Sequence, residues 1–145
     1  MNSYISTIHD MVQEINWQFE KHGINGKYCE DISIVEYMAL KKAGEINEIT
    51  IKDIASTLNF TSSGATRIIS RLEEKGYVIR QHSPSDGRFC SVELTVKGRS
   101  TLEVIAKNEI EYLEKALTNL DQQAVMQIKE TVEILSNAIK SKNYA

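Results

Sequence analysis

Apolar positions recur at helical spacing through most of this chain. Ile5, Ile8, Val12, Ile15 and Phe19 alternate three and four apart, with Tyr4 and Met11 beside them, and predict a helix over 3–22. Residues 23–30, GINGKYCE, carry two glycines and read as a loop. Asp31 and Ser33 are candidate caps for a second helix over about 32–43, where Ile34, Val35, Met38, Ala39 and Ala43 supply apolar surface and Gly44 supplies the stop. Ile49 and Ile51 bracket a short candidate strand.

The stretch from Thr50 to Thr95 has the densest signals. Thr50 followed by Asp53 resembles a capping box with Asp in the usual Glu position, and Ile51, Ile54, Ala55 and Leu58 continue at helical spacing. A second start follows at Thr61-Ser62-Ser63, after which Ala65, Ile68, Ile69 and Leu72 lie on one face until Lys75 and Gly76 end the run. Two helices joined by a turn of about three residues make a helix-turn-helix. Then come two strand-like runs, 77–82 and 89–94, separated by Ser83-Pro84-Ser85-Asp86-Gly87-Arg88. That connection holds the only proline of the chain and an Asp-Gly turn signal. A hairpin directly after the second helix is a wing. The candidate strand at 49–51 would pair with it.

Opposite its apolar stripe, the second helix of the pair presents Ser62, Ser63, Thr66, Arg67, Ser70 and Arg71. Short hydroxyls near a helix N-terminus can approach phosphates and base edges, and Arg can bond bidentately to guanine in a major groove. An ordinary solvated face would have much the same composition. The wing weighs for DNA, because a basic tip beside such a helix can reach the backbone or minor groove while the helix occupies the major groove.

After Leu94, Thr95 caps a long helix to about Asn119, with Leu102, Ile105, Tyr112, Leu113 and Leu117 as its apolar stripe. Asp121 opens the last helix. Its Val125, Ile128, Val132, Leu135 and Ile139 repeat at three and four, the spacing of a coiled-coil seam. A small winged domain needs neither terminal seam to close its core. The first helix and the last two therefore form either a dimerisation module or three helices packed within one chain.

Residues 32–98 resemble the MarR (multiple-antibiotic-resistance regulator) family of bacterial transcription factors. The resemblance lies in the order and spacing of Ala65-Thr66-Arg67-Ile68-Ile69-Ser70-Arg71-Leu72-Glu73-Glu74-Lys75-Gly76-Tyr77-Val78, Asp86-Gly87-Arg88 and Leu94-Thr95-Val96-Lys97-Gly98. It implies a mainly α fold with a small β-hairpin wing, in which a winged helix-turn-helix (31–99) lies between an N-terminal helix and loop (1–30) and C-terminal helices (100–145), the outer parts forming a dimerisation module. Ile5, Ile8, Val12, Val125, Ile128, Val132, Leu135 and Ile139 would then line the dimer interface. Thr61, Ser62, Ser63, Thr66, Arg67, Ser70 and Arg71 would face double-stranded DNA, an inverted-repeat operator. Arg88 would make the wing contact, oriented by Asp86. Family ligands occupy the cleft between dimer helices and winged domain, which by position here draws on Trp17, Tyr37 and Met38 and suits a small aromatic or amphipathic effector.

Composition adds limits. The net charge of −3 opposes DNA binding until it is divided: residues 50–99 hold eight Lys/Arg against five Asp/Glu, leaving nine and fifteen of the totals of 17 and 20 for the rest. The positive potential sits where DNA would lie. With 145 residues, no run of about 18 apolar residues and no signal peptide at the start, the chain reads as one cytoplasmic domain with helical arms and no membrane partner. His9, His22 and His82 make no spaced metal motif, and the long helix lacks the His that zinc-binding relatives use, so no metal or cofactor is expected. Phosphate loops and nucleophile elbows are missing, which argues against an enzyme. Cys29, beside Tyr28, is the candidate for a thiol-redox sensor of the kind some relatives carry, against a default of inert thiols for both Cys29 and Cys90. The expected function is a DNA-binding regulator, a repressor modulated by a small ligand. The alternatives are a redox-sensing regulator and a winged helix used for protein interaction, which would show apolar side chains in place of Arg67, Arg71 and Arg88.

Overall fold

The computed structural model describes residues 2–22, 31–82 and 90–143. Among these the order is α1 (Ser3–His22), α2 (Ile34–Glu45), α3 (Ile51–Leu58), α4 (Ser62–Glu74), β1 (Val78–His82), β2 (Cys90–Leu94), α5 (Val96–Leu117) and α6 (Gln122–Asn143). The proposed wing residues Asp86 and Arg88, and Cys29, lie outside the described residues.

Side chains that take the orphan amides of the first turn set the helix starts. Ser33 and Glu36 close a full capping box on α2, and Thr50 and Asp53 close another on α3. Thr61 Oγ1 accepts from the Gly64 amide at 3.0 Å, Thr95 Oγ1 from Gly98 at 3.0 Å, and Asp121 Oδ1 from Ala124 at 2.8 Å. The turn between α3 and α4 is made by Asn59 in the left-handed region (φ 58°), which Asn tolerates. Helix α4 ends in a Schellman arrangement: Gly76 (φ 84°) donates to the Glu73 carbonyl and Tyr77 to that of Leu72.

Two boundaries differ from expectation. Asp31 does not cap α2; Ser33 does, and the Asp31 carboxylate instead accepts a hydrogen bond from the Tyr77 hydroxyl at 2.8 Å. Gly44 does not end α2, which continues through Glu45. A Cβ at Gly44 would stand 2.9 Å from a Leu102 methyl and 3.1 Å from a Leu94 methyl, so the glycine is where α5 and β2 come close. The candidate strand at 49–51 reduces to a single bridge, Thr50 to Ser91, with the Val92 amide donating to the Ile49 carbonyl at 2.8 Å. Thr50 is already committed to capping α3, so the chain turns into helix before a strand can extend.

β1 and β2 pair antiparallel, with Val78 opposite Leu94 and His82 opposite Cys90. The core draws on α2, α3, α4, the hairpin and the first turns of α5, and its buried apolar residues run from Ile32 to Ile105. Of the expected α5 stripe, Ile105 is buried and Leu102 packs beside it, whereas Leu113 is exposed and Tyr112 meets the rings of Phe19 and His22 instead. α1 and α6 contribute no buried residue among those described. Burying a large aliphatic side chain stabilises by about 1.5–3 kcal/mol. The winged part therefore holds its own core, and the terminal helices leave their apolar faces open.

Candidate nucleic-acid interface

Helix α4 lies with Ala65, Ile68, Ile69 and Leu72 in the core, which turns Ser62, Ser63, Thr66, Arg67 and Arg71 outward. The Arg67 and Arg71 side chains have no ion pair or hydrogen bond among the described residues, and each is exposed. The Thr66 hydroxyl donates to the Ser62 carbonyl at 2.9 Å and keeps its lone pairs facing outward as acceptors. Thr61 is also exposed, but its oxygen is engaged by the Gly64 amide, so its first task is to start the helix.

Ser70 is placed differently from its neighbours. It is half-buried, and its hydroxyl accepts a hydrogen bond from Arg80 Nη2. The Arg80 backbone amide donates to Glu73 Oε2 at 3.2 Å, and its Nε lies 3.6 Å from Glu73 Oε1. That Nε is buried without a hydrogen bond, so the ion pair with Glu73 is its compensation. Arg80 thus joins the outward helix to the first wing strand. In the sequence alone Arg80 is one position of a strand. The available signal was its place two residues after Val78, on the side of the strand that faces the helix.

A second set of polar contacts holds the far end of α4. Glu36 is the one buried charged residue among those described, and its Oε2 lies 2.7 Å from Lys75 Nζ. The same ammonium donates to the Asp31 carbonyl. Burial would raise the Glu36 pKa, but hydrogen bonds from Lys75 and from Ser33 outweigh it and hold the carboxyl below its usual value. Beside this pair, Lys97 Nζ donates to the Lys75 carbonyl at 2.6 Å and stands 4.5 Å over the Tyr77 ring. Thr95 Oγ1 donates to the Gly76 carbonyl at 2.6 Å. The segment Lys75-Gly76-Tyr77 and the segment Thr95-Val96-Lys97-Gly98 are therefore one joint, built from the helix exit and the start of α5.

A cavity of about 420 Å³ opens between α1, α2 and α5. Tyr37 and Met38 line it, with Phe19 from α1 and Glu109 from α5. Trp17, grouped with them by position, is not part of the lining and is 58% exposed. Asn16, Phe19 and Glu20 share the helix face toward the cavity, and Trp17 is turned about 100° from Asn16, its neighbour in the chain. Burial, and then the nearby Glu109 and Glu45 carboxylates, push the Tyr37 phenol up. Burial also raises Glu109, against the opposing pull of Lys41 and His22.

The expected dimer residues stand on open faces. Ile5 and Ile8 on α1, and Ile128, Val132 and Ile139 on α6, are exposed, while Val12, Val125 and Leu135 are half-buried. Val132, Leu135 and Ile139 line a shallow hollow of about 290 Å³. The Cys90 thiol is free and half-buried on β2. Among the described residues no group of His, Cys, Asp or Glu is gathered to hold a metal, and no helix is long and apolar enough to cross a membrane.

The MarR family model matches residues 32–89. The HTH-type transcriptional regulator YdgJ of Bacillus subtilis (strain 168) is 31% identical over 98 residues, an alignment covering 68% of this chain and 60% of that protein's length. The structure of a MarR family protein from Bacillus stearothermophilus superposes with a TM-score of 0.79 at 16% identity, covering 97% of this chain and 99% of that one. The crystal structure of Streptococcus pneumoniae FabT in complex with DNA is similar with a TM-score of 0.74 at 23% identity, covering 97% and 95%.

Proposed function

The chain belongs to the MarR family, and on that premise we propose that it is a homodimeric transcriptional repressor that binds double-stranded DNA and is modulated by a small ligand. The observation that carries this reading is the outward face of α4. Two guanidiniums, Arg67 and Arg71, unpaired among the described residues, stand among the hydroxyls of Ser62, Ser63 and Thr66, with no large apolar side chain between them. Such a face can bond base edges and phosphates, and it lacks the large apolar side chains that form the core of a protein interface. FabT, a chain of similar fold, has been crystallised on DNA, which supports the choice of partner.

The open apolar faces of α1 and α6 support the homodimer, since exposed apolar stripes on a small protein mark an interaction surface. Two copies on a two-fold axis would present their α4 helices to successive major grooves, about 10–10.5 base pairs apart, so the operator is an inverted repeat. A second contact then gains by effective concentration, which a chain of net charge −3 needs. Arg88 and Asp86 belong to this reading as the wing contact. A partner of this kind places the protein's work in the cytoplasm.

Fluorescence anisotropy against DNA from upstream of the protein's own gene tests the reading. Two chains should bind one site with clear preference over random DNA of equal length, and footprinting should show an inverted repeat. Equal affinity for both DNAs at moderate salt would overturn it.

A further inference from the structure

The cavity between α1, α2 and α5 is acidic at its wall. Phe19, Tyr37 and Met38 give it rings and a thioether that suit a flat aromatic body. Its ionisable groups besides Tyr37 are Glu20 and Lys41, both exposed, and Glu109, which is half-buried. Two carboxylates therefore face one ammonium. The Glu109 carboxylate has no hydrogen bond or direct ion pair among the described residues; Lys41 and His22 act on it only at longer range. It has given up part of its hydration, as its raised pKa reflects, without gaining a donor in exchange. A ligand bringing a cationic N–H group to that point supplies both the charge and the donors. An aromatic carboxylate brought there meets two like charges and offers no donor.

We propose that this cavity takes aromatic cations, such as arylamidinium or arylalkylammonium compounds, with Glu109 as the residue that selects positive over negative head groups. The inference rests on the ligand-modulated reading above and names the class of that ligand.

Benzamidine and benzoate share a ring and a planar head group and differ in charge, so the pair isolates the effect. Isothermal titration calorimetry on the full chain should show benzamidinium binding at least about tenfold tighter than benzoate, given what hydrogen bonds to charged groups contribute. Glu109→Gln, near-isosteric, should remove most of that preference and leave benzoate unchanged or improved. Lys41→Gln, at an exposed position, should strengthen benzamidinium by about two- to threefold, the size of a partly screened charge effect, and serves if the Glu109 variant does not fold. Benzoate binding as tightly as benzamidinium, binding of neither, or indifference to both substitutions would overturn the proposal. Anisotropy with operator DNA on the same samples separates the two readings. Benzamidinium bound through Glu109 with unchanged DNA affinity supports the site and overturns ligand control.

Discussion

The Cα of Gly98 lies so close to the carbonyl of Tyr77 that a Cβ built there would stand 2.0 Å from the oxygen and 3.0 Å from the carbon. The obstacle is backbone and cannot rotate away. This close approach lets the Thr95 amide donate to the same carbonyl at 3.0 Å and seats the first turn of α5 on the exit of α4. The helix that presents Arg67 and the helix that leads to α6 are thereby fixed to each other. Gly98→Ala should destabilise the fold by about 1–3 kcal/mol or more, as overpacking in a tight site does. Urea unfolding measures it, and an unchanged midpoint would refute the contact.

Glu36 makes acid stability a test of its tie from α2 to Lys75 at the exit of α4. Its folded pKa is depressed, so its contribution is fully present above the ordinary carboxylate value and fades as pH falls through the lower folded value. Glu36→Gln should cost about 1.5–3 kcal/mol near neutral pH, the range for hydrogen bonds to charged groups, and should cost progressively less toward pH 3. Denaturant titrations at several pH values read this directly. A penalty that does not shrink in acid would show that the loss is not one of charge.

Arg67 and Arg80 should fail in different ways. Arg67→Ala removes an exposed side chain with no partner among the described residues, so the fold should keep its melting temperature while specific binding falls by about 1–3 kcal/mol and random DNA is barely affected. Equal loss on both DNAs would make Arg67 a phosphate contact.

Arg80→Ala cuts the tie from β1 to Ser70 and Glu73. Both the melting temperature and DNA affinity should fall, by about 1–2 kcal/mol in stability for a partly exposed charged network. Weakened DNA binding with unaltered stability would instead place Arg80 among the direct contacts.

Leu135→Glu tests the seam. It places a carboxylate in the α6 hollow, where a second copy would strip it of water without a partner. The variant should run as a monomer in light scattering, keep a folded winged domain and lose specific DNA binding. A dimer with normal operator affinity would exclude this face as the interface.

What the sequence determined by itself is local. Periodicity placed Ile54, Ala55, Ile68, Ile69 and Leu72 inside, and Thr50, Thr61, Thr95 and Asp121 announced helix starts, because a cap and an amphipathic face are settled within a few residues of chain. The order of the motif around Lys75-Gly76-Tyr77 and Leu94-Thr95-Val96-Lys97-Gly98 was equally legible, though not its purpose. Only the tertiary structure decided that these two segments form one joint, that Glu36 pairs with Lys75, and that Ser70 is engaged by Arg80. It also decided that Trp17 is not among the residues lining the cavity, which Phe19 and Glu109 are, and that Gly44 continues a helix it was expected to end. Each depends on which distant side chain arrives at a given point. That is set by the packing of helix on helix and hairpin on helix, a geometry no window of neighbouring residues contains.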